Sequence, residues 1–205
     1  MIEALQRMLR ARTLQLPVFP LKAVLFPDGV LPLKIFEQRY IDMTKDCLRE
    51  QKPFGICLLT AGEEVGAPAE FSDIGTLATI TDWDMPQLGI LHLSTSGGQR
   101  FQVKSHTVLD NGLNHAEISL LDPEPQHPIG PEYDSLVRLL EVLIERIGEA
   151  HFPVEKHFDD ASWVSYRLAE ILPLKLTIKQ TMLEINDSNV RMKVLAQFLK
   201  QQGLV

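Results

Sequence analysis

Val30-Leu31-Pro32-Leu33-Lys34-Ile35-Phe36-Glu37-Gln38-Arg39-Tyr40 changes its period partway along. The first six residues have the short apolar character of a strand. From Glu37 onward, Tyr40, Ile41, Thr44, Cys47 and Leu48 recur at three- and four-residue steps, the spacing of one helical face. The stretch therefore predicts a strand over 30–35 that turns directly into a helix over 37–51. Two roles are open to this corner. Phe36 and Tyr40 can staple strand to helix while Glu37 complements the helix N-terminus. Alternatively, Phe26, Phe36 and Tyr40 rim an apolar groove, with Lys34 and Arg39 meeting the polar groups of a bound peptide. These five are the candidate binding residues.

Outward from the corner, residues 14–125 are punctuated by Pro and Gly and carry short apolar runs. Strands are expected over 16–21, 30–35, 53–59, 74–80, 89–94, 99–103 and 115–120, the last three alternating with a period of two. Pro17, Pro20 and Pro32 push their strands toward edges, strand starts or bulges. Gly97-Gly98 is read as a hairpin turn between Leu93 and Phe101, since glycine accepts positive φ. Many short strands with turn residues between them predict a small barrel or sandwich.

After residue 131 the period becomes helical. Leu136, Leu139, Leu140, Leu143, Ile144 and Ile147 form an apolar stripe between Pro131 and Gly148, residues suited to a helix start and end. Asp159 or Asp160 can cap a helix over 161–171 that Pro173 stops. Thr177-Ile178-Lys179-Gln180 has the form of a capping box, and Asp187 or Ser188 can cap a last helix to about residue 202. The proline-rich stretch 122–131 is the natural joint. The expected organisation is a β-rich subdomain over 13–122 and a helical subdomain over 131–205.

The 205 residues carry a formal net charge of −7, which repels nucleic-acid backbones and anionic membranes alike. Residues 1–12 alternate apolar and charged side chains, unlike a signal peptide, and no run is long enough to span a bilayer. Cys47 and Cys57 are the two cysteines, both in apolar surroundings with no CxxC pair, which fits a reduced cytoplasmic chain. No Gly-Lys dipeptide occurs, so a phosphate-binding loop is not expected. His92, His106 and His115 fall on separate expected strands, and His151 and His157 are split by Pro153, so no metal site is expected. Ser94 and Ser96 do not sit in a strand–turn–helix elbow, and Glu63-Glu64 and Asp159-Asp160 read as loop and capping charge. No catalytic residue and no cofactor is expected.

Several motifs in order resemble one known family. Phe19-Pro20-Leu21, the run from Val24 through Tyr40, Pro53-Phe54-Gly55, Glu64-Val65-Gly66, Ile74-Gly75-Thr76-Leu77-Ala78, Gln99-Arg100-Phe101-Gln102-Val103 and Glu117-Ile118-Ser119-Leu120-Leu121 resemble the N-terminal, substrate-binding domain of Lon proteases, especially its free-standing bacterial members. Trp163-Val164-Ser165-Tyr166-Arg167-Leu168-Ala169-Glu170-Ile171-Leu172-Pro173-Leu174 and Lys179-Gln180-Thr181-Met182-Leu183-Glu184 continue the likeness.

The resemblance implies an α+β fold: a PUA-like, mostly antiparallel β-barrel with one inserted helix, followed by a C-terminal α-helical bundle. It implies recognition of unfolded or exposed polypeptide, with a proteolytic machine in trans as a further partner, and without ATPase or protease domains. PUA-like barrels of other families bind RNA, which makes an RNA-binding module the alternative. A deep apolar cleft between barrel and helices would favour a peptide site there; a packed seam would move the binding surface elsewhere.

Overall fold

The computed structural model describes residues 13–64, 66 and 69–203. Residues 1–12, Val65 of the Glu64-Val65-Gly66 motif and the last two residues lie outside the described residues.

Six strands form one mixed sheet: β1 (Leu14–Leu21), β2 (Val30–Ile35), β3 (Phe54–Ala61), β4 (Glu70–Gln87), β5 (Ile90–Val108) and β6 (Asn114–Leu120). Their order is β2-β5-β4-β3-β1-β6, and β5 also pairs with β6. The ladder thus runs from β5 through β4, β3, β1 and β6 back to β5, with β2 added on β5. All pairings are antiparallel except β1 with β3. Strand β1 divides its partners, giving residues 14–18 to β6 and 18–21 to β3. Pro17 falls in the half paired with β6 and Pro20 in the half paired with β3, so each proline has a single strand partner, the setting in which a residue without an N–H is tolerated. Pro32 lies on β2, which has a single strand partner.

The inserted helix α1 (Gln38–Glu50) starts at Glu37 and ends on Gln51 in the left-handed region at φ 53°. A short 3₁₀ turn at Pro131–Tyr133 leads into α2 (Asp134–Ile147), closed by Gly148 at φ 103°. Helix α3 (Ala161–Ile171) is capped by the Asp160 carboxylate, which accepts from the Ser162 N–H. Helix α4 (Leu176–Glu184) precedes α5 (Ser188–Gln201), where Asp187 accepts from the N–H groups of Asn189 and Val190. Among the described residues no helix is long and apolar enough to cross a membrane.

Two expectations need correction. The Thr177 capping box does not form: α4 begins two residues earlier than the box requires, with Lys175 as an N-cap that makes no side-chain bond. Gln180 is drawn away by tertiary contact, donating to Ile74 O at 3.0 Å and Glu184 Oε1 at 2.9 Å. Nor is there a turn at Gly97-Gly98, because β5 runs through both residues without positive φ. The hairpin instead turns at Leu88-Gly89, with Gly89 at φ 81°.

Gly97 is small for another reason. A Cβ there would lie 2.1 Å from Phe26 O. The turn Phe26-Pro27-Asp28-Gly29 presses its backbone onto β5: Asp28 N donates to Gly97 O at 2.8 Å, and Gly97 N donates to Gly29 O at 2.8 Å. Thr76 Oγ1 holds Leu25 O at 2.6 Å from β4. The other face of the turn meets α3, where Arg167 Nη2 donates to Pro27 O at 2.8 Å. A Cβ on Gly29 would meet Glu170 Oε1 at 2.5 Å. Phe26 carries the contact onward, fully buried with its ring 5.4 Å from that of Tyr166. Val24, Phe26 and Leu58 share one apolar cluster with the helices, while two further clusters fill the sheet and α1.

Beside this packed seam lies a buried ion cluster. Glu124, from the stretch between sheet and helices, takes both Arg191 Nη atoms at 2.6 Å each in a bidentate pair. Arg100 Nη2 of β5 approaches the same carboxylate at 3.3 Å. Ser162 Oγ donates to it at 2.9 Å, and so does the Tyr166 hydroxyl. Arg191 also stacks over the Tyr166 ring, 3.9 Å from its centroid. Burial opposes ionisation of Glu124, but the Arg191 hydrogen bonds and charge, with help from Tyr166 and Ser162, hold its carboxyl below the usual carboxylate range.

These contacts set two expected outcomes. Gly97→Ala should cost about 1–3 kcal/mol or more in urea unfolding, because the new methyl meets backbone that cannot yield. Gly98→Ala, whose Cβ meets nothing nearer than 3.6 Å, should stay within about 0.5 kcal/mol. For Glu124, a depressed folded pKa means stability that is present above the unfolded value of about 4.3 and is lost as pH falls through the folded value. Glu124→Gln should therefore flatten the acid limb of a stability–pH curve, and should cost about 3–5 kcal/mol at neutral pH by leaving two buried arginines uncompensated.

Candidate binding surfaces

The five candidate residues of the strand–helix corner separate in the structure. Phe26 has no exposed surface and belongs to the sheet–helix core. Tyr40 is buried too, its ring stacked on Phe19 at 3.9 Å. Arg39 is buried beneath the corner, donating from Nη1 to Gly112 O at 2.7 Å and pairing from Nη2 with Glu37 Oε2 at 3.1 Å. Glu37 makes no capping bond to its own helix; its carboxylate bridges Arg39 and the Gly66 N–H. Only Phe36, 52% exposed, and Lys34 offer surface. Arg39 and Tyr40 thus lie beneath the corner, whereas Phe26 belongs to the separate cluster shared with the helices.

Lys34 opens onto a different feature. The distal half of β4 pairs with the start of β5, whose other edge carries β2; Leu91 and Leu93 of this ribbon face the core, whereas residues 81–87 of β4 are all exposed. Pairing registers align Leu33, Leu93 and Trp83 in one row across three strands, and Lys34, His92 and Asp84 in the next. A groove of about 370 Å³ follows these rows, with Pro32, Leu33, Lys34, Asp82 and Trp83 among its walls. Trp83 is 53% exposed, and Leu88 at the turn is 92% exposed, with Met85 exposed between them. Large apolar side chains crowded onto one exposed ribbon mark a contact surface more strongly than the same residues scattered singly. The sequence signal for it was Asp82-Trp83-Asp84-Met85, which alternates with a strand period but has no core for its apolar side to meet.

The seam between sheet and helices is closed by packing at Phe26. Next to it remains a cleft of about 540 Å³ between the Pro27-Asp28 turn, the 126–128 stretch and the start of α3. Its walls include Asp28, Asp159, Asp160, His127, His157 and Trp163. It is polar rather than apolar, so the seam does not provide an apolar peptide groove.

The thiols are held protonated at neutral pH. Burial, followed by the nearby Asp46 and Glu50 carboxylates, pushes Cys47 up to about 11. Burial raises Cys57 further, with Asp73 adding to it. A thiol in this state is a poor nucleophile. His92 is exposed beside the ribbon, His106 packs on Phe71 at 4.8 Å between centroids, and His115 pairs across from Pro17 and Thr107.

Known proteins share this arrangement. The family described as the ATP-dependent protease La (LON) substrate-binding domain matches residues 15–201. A Lon N-terminal domain protein from Xanthomonas campestris superposes with a TM-score of 0.75 at 34% identity, over 90% of this chain and 98% of that one. The N-terminal domain of the Mycobacterium avium complex Lon protease shares the fold at a TM-score of 0.64 and 17% identity, over 91% of this chain and 98% of that one. Lon protease of Desulfosudis oleivorans is 24% identical over 197 residues, covering 91% of this chain and 24% of the relative. Lon protease of Escherichia coli is 23% identical over 204 residues, covering 94% and 25%. This chain spans about a quarter of the length of those two proteases. With the family matched along nearly all of the described fold, the chain belongs to the Lon substrate-binding domain family.

Proposed function

We propose that this protein is a non-catalytic recruiter of polypeptide, holding exposed apolar segments of unfolded clients on the β4–β5 ribbon. The observation that carries the reading is the exposed set Trp83, Met85 and Leu88 at the β4–β5 hairpin, whose β4 residues 81–87 are all exposed while Leu91 and Leu93 of β5 face the core. An apolar surface of this kind gains from covering with another apolar surface, at about 25 cal/mol for each Å² removed from water. Lys34 and Phe36 of the corner would touch the client directly. Arg39 and Tyr40 would hold the corner in shape from beneath.

The same proposal covers the finer architecture and setting. The closed ladder over residues 13–122 is read as a PUA-like β-barrel, and residues 131–205 as a helical bundle set against it. A cytoplasmic recruiter with no bond-breaking centre would hand its clients to a proteolytic machine in trans. The acidic balance of the chain, and Asp82 and Asp84 beside the groove, disfavour an RNA partner, which needs a basic face.

The test is binding of a chemically denatured client, followed by fluorescence anisotropy, to the wild-type chain and to the combined variant Trp83→Ala, Met85→Ser, Leu88→Ser. Losing an apolar anchor of this kind costs about 1–2 kcal/mol per central residue, so affinity should fall at least tenfold. Urea unfolding of the variant should stay near wild type, since none of the three is in the core. Unchanged affinity in a folded variant would move the client off the ribbon.

A further inference from the structure

The polar cleft beside the seam has a composition that the ribbon does not share. Among the described residues its walls carry Asp28, Asp159 and Asp160 but no lysine or arginine. Asp160 is committed to capping α3, whereas the carboxylates of Asp28 and Asp159 have no cationic partner among the described residues. Asp28 is held toward the opening by its turn, in the left-handed region at φ 59°. Pro27 and Pro128 supply apolar wall, and at about 540 Å³ the space suits a small ligand group.

A second observation is independent of the acids. Trp163 lines the same cleft and is 3% exposed, yet its indole Nε1 has no hydrogen-bond acceptor among the described residues. A buried donor left unpaired costs about 1–3 kcal/mol, which an incoming acceptor would recover. Phe158 and His157 pack edge-on against the indole at 5.3 and 6.3 Å between ring centroids, and His157 is the half-exposed one that also lines the cleft.

The site therefore asks for a cation and a hydrogen-bond acceptor close together, with an apolar group between the prolines. We propose that the cleft binds the amino terminus of a polypeptide. The α-ammonium sits against Asp28 and Asp159. The first peptide carbonyl accepts from Trp163 Nε1 as His157 turns aside, and the first side chain rests on Pro27 and Pro128. A lysine side chain offers the ammonium without a carbonyl within reach. A carboxylate terminus would meet two unpaired acids of its own sign. The inference rests on the polypeptide-recruiting reading only for the kind of ligand; the place is different, with no lining residue shared between the cleft and the ribbon groove.

The two tryptophans of the chain, Trp83 and Trp163, report on the two surfaces separately. With the full chain ¹⁵N-labelled, Leu-Gly-Gly-amide should shift the Trp163 indole N–H resonance saturably and leave that of Trp83 in place. N-acetyl-Leu-Gly-Gly-amide should bind at least tenfold more weakly, and so should N-acetyl-Lys-Gly-Gly-amide. Asp28→Asn combined with Asp159→Asn should weaken the free-amine peptide by at least tenfold; both positions are exposed, and Asn tolerates the left-handed backbone at residue 28. Equal binding of the acetylated peptide, equal binding of the lysine peptide, or no saturable Trp163 shift would each overturn the assignment. A denatured client that moves only the Trp83 resonance would leave the ribbon reading standing while removing this one.

Discussion

Everything else in the fold is arranged around the close approach of the Phe26–Gly29 turn to β5. Two backbone hydrogen bonds and a contact that only glycine permits at residue 97 fix where the turn stands. From that position its opposite face reaches Arg167 and Glu170, so the sheet and the helices are joined through backbone atoms rather than through side chains alone. Side-chain packing can drift by rotamer changes, whereas a backbone contact of this kind holds its geometry to a few tenths of an ångström. Pro27 and Asp28 of this turn are themselves walls of the polar cleft.

Charge reinforces what packing begins. Glu124 sits among Arg100 from the sheet, Arg191 from α5 and Tyr166 from α3. One carboxylate therefore touches the three parts of the molecule that the chain must bring together. A buried pair of this sort adds little net stability over a well-packed apolar alternative, but each of its members is costly to leave alone. Its effect is selective: arrangements that bury one arginine without the carboxylate are penalised, and the docking angle of the helices is specified.

Much of this was legible in the chain. The caps at Asp160 and Asp187, the glycine after α2 and the stripe inside it are local signals, and local signals survive folding. What escaped was set by partners distant in sequence. Gly97 looked like a turn residue because nothing nearby reveals that Phe26 O will occupy the space a side chain would need. Gln180 looked like a capping residue until Ile74 O competed for it. Phe26, Arg39 and Tyr40 read as groove residues, yet all three are buried, Phe26 in the cluster shared with the helices, because periodicity cannot say which side of a bend a side chain will take. The ribbon was missed for the converse reason: its alternation was visible, but exposure depends on the absence of a covering layer, which no local pattern records.

The division of β1 between two partners has a consequence in time. Leu14 aligns with Ile118 and Val18 with both Asn114 and Gly55, so the first strand of the chain is completed only by the last strand of the sheet. During synthesis the ladder stays open until β6 has emerged, and until then β1 and β5 present bare strand edges that invite foreign pairing. Ring closure across so long a loop is also entropically slow. The domain is thus a late folder by construction, and it passes through the same state of exposed strand and apolar surface that it is proposed to recognise in others.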